Sequence, residues 1–248
     1  MQKFQAILAY EGTAYLGWQK TSLGLTIQEA LSKSIAKLSP TSPLPEAASR
    51  TDRGVHAEGQ SVSFEAHTKL DPPTLQKALN AHLPKDIRIR SLSLVPTHFH
   101  PTLDAKRKEY RYRVSFADIQ DPMERHFFWS FPYTLDLKEM ERAAKLLLGT
   151  KDYSALANTM SNGKIENPIC TLERIDLHLL PNSRLEIAIL GNRFLYKMAR
   201  NIGGLLLFVG RGKLRAERIP HLLDAKKRSL SAMTAPAHGL TLYRVDYS

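Results

Sequence analysis

Cysteine is almost absent: a single residue, Cys170, stands in a chain of 248. That excludes a disulfide framework and a cysteine-based zinc site within one chain. The nine histidines show no His-x-x-x-His or Glu-x-x-His ligand spacing. His98 and His100, on either side of Phe99 and ahead of Pro101, read as loop residues rather than metal ligands. Long apolar runs are lacking too; the longest, Leu205 to Val209, is far too short to cross a bilayer. No signal-peptide core precedes the alternation that starts at Lys3. Acidic residues are outnumbered, 24 Asp+Glu against 35 Lys+Arg, for a formal charge of +11. A protein without resident metal or cofactor, without a membrane partner and in a reducing, cytoplasmic setting is expected. The basic excess attracts polyanions, nucleic acid first.

Hydrophobic residues make up 43% of the chain, enough for one large domain or two ordinary ones. Phe4, Ala6, Leu8 and Tyr10 alternate with Lys3, Gln5, Ile7 and Ala9, the pattern of a strand. Thr26-Ile27-Gln28-Glu29 has the form of a capping box, and Ile27, Ala30, Leu31, Ile35 and Leu38 then recur at helical spacing up to the stretch Pro40–Pro45. Extended segments are expected around Glu46–Ser49 and Ser61–Ala66. A helix capped by Asp71 with Pro72 in its first turn follows, then a strand over Ile87–Val95. The order strand, helix, strand, strand, helix, strand is the ferredoxin-like split arrangement. The second half repeats it. A strand covers Glu109–Phe116 and Asp136 caps a helix. Thr171–Leu179 and Arg184–Leu190 form a hairpin around Pro181-Asn182-Ser183, a helix runs from about Asn192 to Val209, and a strand closes over Leu240–Tyr247. The expected fold is α+β: two ferredoxin-like (βαββαβ) halves, residues 1–104 and 105–248, forming a continuous sheet with a central active-site cleft.

Between the two middle strands of the first half lies Ala48-Ser49-Arg50-Thr51-Asp52-Arg53-Gly54-Val55-His56-Ala57. Asp52 stands between two arginines, whose charge favours its carboxylate form, and Gly54 lets the chain turn sharply just beyond. Such a group suits a nucleophile or base better than a general acid. On residue types alone, a surface turn with a local ion pair is the favoured reading. In the second half, Tyr110, Tyr112 and Val114 share one face of a strand while Glu109, Arg111 and Arg113 share the other. That is either two core aromatics or a base-stacking surface backed by arginines. Farther on, Arg193, Lys197 and Arg200 fall at i, i+4 and i+7 opposite an apolar stripe of Phe194, Leu195, Met198, Ile202, Leu205, Leu206 and Val209.

Arg-Thr-Asp-x-Gly-Val-His-Ala resembles the signature of the TruA-type tRNA pseudouridine synthases. Four further segments resemble that family in order along the chain. They are Tyr10-Glu11-Gly12-Thr13-x-Tyr15-x-Gly17-Trp18-Gln19, Phe99-His100 with Lys108-Glu109-Tyr110-Arg111-Tyr112, Gly191-Asn192-x-Phe194-Leu195 with Met198-x-Arg200-Asn201-Ile202, and Ala235-Pro236-Ala237-x-Gly239-Leu240. The resemblance implies isomerisation of uridine to pseudouridine at positions 38–40 in the anticodon arm of tRNA, without cofactor, by a homodimer. It makes Asp52 catalytic, Tyr110 the tyrosine that stacks on the target base, and Arg200 the partner of the carboxylate. Arg50 is the side chain expected to enter the base stack. Arg53, Lys106, Arg107, Lys108, Arg111, Arg193 and Lys197 are expected along the phosphate track. The chain departs from the family at Ser49, where glycine is usual, and at Tyr196-Lys197, where two histidines are common; substrate range is the property these changes touch. Two rivals compete with this reading, a non-catalytic RNA-binding relative and a metal-dependent nuclease. Arg50 and Arg53 argue against the nuclease by repelling a divalent cation.

Overall fold

A computed structural model describes residues 1–40, 44–159, 165, 167–226 and 233–248. It is α+β and divides into two compact units, Met1–Lys106 with Thr241–Ser248, and Arg107–Leu240. The first contains β1 (Gln2–Tyr10), α1 (Ile27–Ala36), β2 (Glu46–Ala47), β3 (His56–Ala66), α2 (Pro72–His82) and β4 (Ile87–Leu94). The second contains β5 (Arg107–Ser115), β6 (Trp129–Ser130), α3 (Leu137–Leu147), β7 (Gly149–Asp152), β8 (Ile169–Leu180), β9 (Arg184–Gly191), α4 (Met198–Gly210) and α5 (Ile219–Asp224). The last strand is β10 (Leu240–Asp246).

In the first unit β1 lies between β3 and β4, antiparallel to both, and β2 pairs antiparallel with β3. This is the strand order that the expected βαββαβ sequence produces. Each helix starts where a short polar side chain can satisfy a free N–H. The Thr26 hydroxyl accepts from the Glu29 N–H at 3.3 Å, and the Asp71 carboxylate accepts from the Thr74 N–H at 3.1 Å. The inward positions of β1 (Phe4, Ala6, Leu8) are buried, as are Ile27, Leu31 and Ile35 of α1 and Leu75 and Leu79 of α2. Part of the Pro40–Pro45 stretch lies outside the described residues.

Two features of this unit differ from the expectation. The extended segment expected to begin at Ser61 begins at His56, so the end of the Arg-Thr-Asp motif runs directly into β3. Residues 58–60 hide the strand pattern because Gly59 serves close approach: a Cβ there would lie 2.4 Å from the Tyr243 carbonyl oxygen. The chain end, expected within a half spanning 105–248, groups from Thr241 onward with the first unit. There β10 runs parallel to β3, with Thr241 opposite His56 and Leu242 opposite Ala57.

In the second unit the strand order is β5-β9-β8-β7, all antiparallel, with β6 parallel on β5. The β8–β9 hairpin closes through Asn182 and Ser183, both in the left-handed region (φ 61° and 55°). Asn tolerates that region better than most residues. Asp136 caps α3 by accepting from the Glu139 N–H at 3.0 Å. The expected helix over Asn192–Val209 begins only at Met198, because Lys197 adopts φ +60° and cannot belong to a right-handed helix. Arg193 and Lys197 therefore stand outside the helix, and the basic stripe read at i, i+4 and i+7 does not exist as a helix face. Nor is α4 two-sided: eleven of its residues are buried, and Arg200 and Phe208 are the two that are partly exposed. A helix apolar all round belongs in a core, and its glycines let it sit there. A Cβ on Gly203 would come within 3.1 Å of the Tyr112 ring, and one on Gly210 within 2.5 Å of the Met140 sulfur.

Candidate functional site

Asp52 begins a four-residue turn in which the Val55 N–H donates to the Asp52 carbonyl at 3.1 Å. Gly54, third in that turn, has φ +79°, a conformation that favours glycine. Asp52 is partly buried, while Arg50 and Arg53 beside it are exposed.

The opening loop holds this turn in place. The Trp18 N–H donates to the Thr51 carbonyl at 3.0 Å. Gly17, at φ +95°, lies so close that a Cβ would stand 2.6 Å from the Thr51 oxygen and 3.0 Å from the Asp52 carbonyl carbon and the Arg53 nitrogen. At Gly12 the approach is tighter, with a Cβ 2.1 Å from the Val55 oxygen, and the Gly12 N–H donates to His56 Nδ1 at 3.0 Å. That bond makes Nδ1 the acceptor nitrogen of His56. On the other flank, Tyr10 and Thr51 share a buried hydroxyl–hydroxyl bond of 2.8 Å. The Gln60 amide donates to the Ser49 carbonyl at 2.6 Å and accepts from the Ser49 N–H at 3.2 Å. Ser49 is thus gripped through its backbone, which a serine offers as well as a glycine. The loop itself is braced by the Tyr15 hydroxyl, which donates to the Asp86 carboxylate at 2.7 Å; burial, then that bond, pushes the phenol well above its ordinary range. The glycines and aromatics of the opening segment are therefore what positions Asp52, a role the chain pattern alone did not reveal.

In the second unit Tyr110 is 6% exposed and meets the edge of the Phe194 ring at a centroid distance of 4.9 Å. Tyr112 is fully buried, its hydroxyl donating to the Pro236 carbonyl at 2.8 Å, so it belongs to the core. Arg200 donates from Nε to the Ala235 carbonyl at 2.8 Å, and its own carbonyl accepts from the Ala235 N–H at 3.3 Å. The Ala-Pro-Ala segment is thereby tied to α4. Next to Arg200 in sequence, the fully buried Asn201 donates to the Leu156 carbonyl (2.8 Å) and to the Asn158 side chain (3.0 Å), and accepts from the Thr234 hydroxyl (2.7 Å). Sequence reasoning passed over this hub, though an asparagine in an otherwise apolar helix was the available signal. His238, in the turn before β10, is held below its ordinary value by burial, then by His126 and Arg200, against a hydrogen bond its ring donates to the Phe128 backbone carbonyl.

The basic residues expected along a phosphate track take different places. On the face of β5 away from Tyr110, Arg111 pairs with Glu109 and Glu186, each at 3.0 Å, and Arg113 pairs with Glu186 at 2.8 Å. Arg174 joins that network through Glu109 at 3.6 Å and also pairs with Asp176 at 2.7 Å. The Arg111 guanidinium is therefore already committed to carboxylates. Lys106 is exposed and Arg107 partly buried. Lys197 lies over the Tyr196 ring at 4.9 Å. Lys108, on the Tyr110 face, is buried. Among the described residues no three His, Cys, Asp or Glu side chains gather in a way that could hold a metal ion, and no helix is long and apolar enough to cross a membrane.

Compared with known proteins, the chain matches the family profile described as tRNA pseudouridine synthase over residues 6–104 and 143–248. It is 42% identical to tRNA pseudouridine synthase A 2 of Protochlamydia amoebophila, across 100% of this chain and 95% of that protein. It is 40% identical to tRNA pseudouridine synthase A of Chlamydia pneumoniae (100% and 93%) and 36% identical to that of Pseudothermotoga lettingae (100% of both).

Proposed function

Because the chain belongs to the tRNA pseudouridine synthase family, and is thus an isomerase of uridine to pseudouridine, we propose that its substrate sites are positions 38–40 of the tRNA anticodon arm and that Asp52 is its catalytic carboxylate. The full-length identity of 42% to a named tRNA pseudouridine synthase A carries this reading. The clamped Arg-Thr-Asp turn supports it, since a reacting group gains most when held within a fraction of an ångström of its working position.

The reaction breaks the bond from ribose C1′ to uracil N1 and forms one from C1′ to C5. N1 gains a proton and C5 loses one, so no oxidant, reductant or second substrate is consumed. The carboxylate of Asp52 acts on the base at C6 or on the ribose. A paired or stacked uridine is out of its reach, and extruding one costs a few kcal/mol. Arg50, exposed beside the turn, is proposed to fill the vacated place in the stack. Tyr110 is proposed to take the base and Arg200 to hold the target nucleotide. With Tyr110 only 6% exposed, the groups covering it must yield when the base arrives. A homodimer is part of the same reading, and light scattering at micromolar concentration checks it.

The decisive experiment is tritium release from tRNA carrying [5-³H]uridine, wild type against Asp52→Ala. Release by the wild type, background for the variant and comparable tRNA affinity for both are expected. Binding by both proteins with release by neither overturns the catalytic reading in favour of an RNA-binding relative.

A further inference from the structure

Three aromatic rings lead outward from the core of the second unit. Trp129 lies edge-on to the buried Tyr112 at a centroid distance of 6.3 Å, Phe131 follows at 4.8 Å, and Tyr133 stands a further 4.8 Å on. Phe131 is buried, whereas Tyr133 is 40% exposed. The Arg211 guanidinium lies over the Tyr133 ring, 3.5 Å from its centroid. Three residues beyond Tyr133, the Asp136 N–H donates to the Gly210 carbonyl at 2.8 Å and moors this segment to the end of α4.

Cations at the C-terminal end of a helix ordinarily serve the carbonyls left unpaired there. At α4 those carbonyls need no side chain. Leu207, Phe208, Val209 and Gly210 accept from the backbone N–H groups of Arg211, Lys213, Gly212 and Asp136 at 2.8–3.0 Å. The side chains of Arg211 and Lys213 are thus surplus to the helix, and among the described residues neither meets a carboxylate. Arg113, Arg142 and Arg184 of the same unit each do. A guanidinium packed by its face on a ring still carries its N–H groups in its own plane, the geometry that grips a phosphate with two bonds. Lys213 is exposed, and its Cα is at most about 7.6 Å from that of Arg211. We propose that Arg211, steadied by Tyr133, and Lys213 bind neighbouring backbone phosphates of the tRNA, apart from the nucleotide being isomerised. Arg211 follows Arg200 by eleven residues along α4, about 16 Å of helix, which sets the patch well away from the nucleotide assigned to Arg200. The choice of tRNA as the polyanion rests on the functional reading above; the cation pair itself rests on the end of α4.

The test measures the affinity of an unmodified tRNA transcript by fluorescence anisotropy over a range of KCl. Wild type is compared with Arg211→Gln, Lys213→Gln, the double variant, Tyr133→Leu and Arg142→Gln, the last a control whose guanidinium pairs with Glu139 and Glu217 on the exterior. Losing one phosphate contact makes the plot of log K against log salt shallower by about 0.7–0.9. Each single glutamine variant at Arg211 or Lys213 is expected to lose that amount, the double variant about twice as much, and Arg142→Gln none. Tyr133→Leu leaves the charges in place, so it should keep the slope and weaken binding about two- to tenfold, because Arg211 must then be ordered on binding. Unchanged slopes in Arg211→Gln and Lys213→Gln, with their thermal transitions intact, overturn the proposal. An equal fall in Arg142→Gln overturns it too, since the effect would then be one of overall charge. If Arg211→Gln does not fold, Lys213→Gln, altered at an exposed side chain, decides in its place. Tritium release by the wild type separates this idea from the function. Release with unaltered slopes removes the phosphate grip alone; altered slopes without release remove the isomerase reading alone.

Discussion

Replacing Gly17 by alanine should damage catalysis through the backbone that carries Asp52. Two costs arise at that position. The residue sits at φ +95°, which for an L side chain costs about 1–3 kcal/mol. The new methyl would also stand 2.6 Å from the Thr51 carbonyl oxygen, far inside van der Waals contact, and the neighbouring atoms are backbone that cannot rotate away. The turn must therefore retreat, loosening the Trp18–Thr51 hydrogen bond of 3.0 Å, whose loss adds about 0.5–1.5 kcal/mol. Together these give roughly 2–4 kcal/mol, or a melting temperature about 5–15 °C lower for a chain of this size. A displacement approaching 1 Å costs up to about 100-fold in rate, so kcat for tritium release should fall about 10–100-fold, with KM for tRNA nearly unchanged. Gly212→Ala supplies the control. Its φ is +72°, yet nothing lies within 4 Å of the added carbon, so it should lose about 1–2 kcal/mol of stability and keep its kcat. If Gly17→Ala retains kcat within twofold, or if both variants lose it alike, the opening loop does not position the carboxylate.

Other expectations follow from single contacts. Asn201→Ala removes three hydrogen bonds, one of them fully buried, and strands the Leu156 carbonyl, so about 2–4 kcal/mol should be lost in chemical denaturation; a loss under 1 kcal/mol would mean the hub is ornamental. Cys170 is buried and its thiol is pushed up, chiefly by burial, so an aromatic disulfide reagent should titrate it slowly in the native protein and fully after denaturation. Rapid native reaction would contradict that placement. His238 has a lower value folded than its ordinary 6.5, so the unfolded chain takes up the proton first. Stability should decline as pH falls below about 6.5 and go on declining down through the folded value. His238→Gln should flatten part of that decline, and a curve parallel to wild type counts against it.

Much of this architecture is legible along the chain because the signals act over a few residues. Thr26, Asp71 and Asp136 announce helix starts, since each cap bond reaches only three residues forward. The alternation of β1, β4 and β5 and the Asn182–Ser183 turn are local in the same sense. Resemblance, rather than residue types alone, singles out the Arg-Thr-Asp segment, and Gly54 does take the positive φ its turn needs. The start of α4 is not legible in the spacing, because the hydrophobic period carries through Asn192–Lys197 while one left-handed residue, Lys197, overrides it.

Readable along the chain, then, are the order and kind of most elements, the family and the Arg-Thr-Asp segment that holds Asp52. Tertiary structure alone decided which glycines are indispensable, since Gly12 and Gly17 are crowded by Val55 and Thr51, residues far away in the chain. It also decided that Arg111 answers to carboxylates while Lys108 is buried, although both lie on one strand. Propensity and capping depend on neighbours within a turn or two; burial, close approach and charge pairing depend on whatever the fold brings alongside.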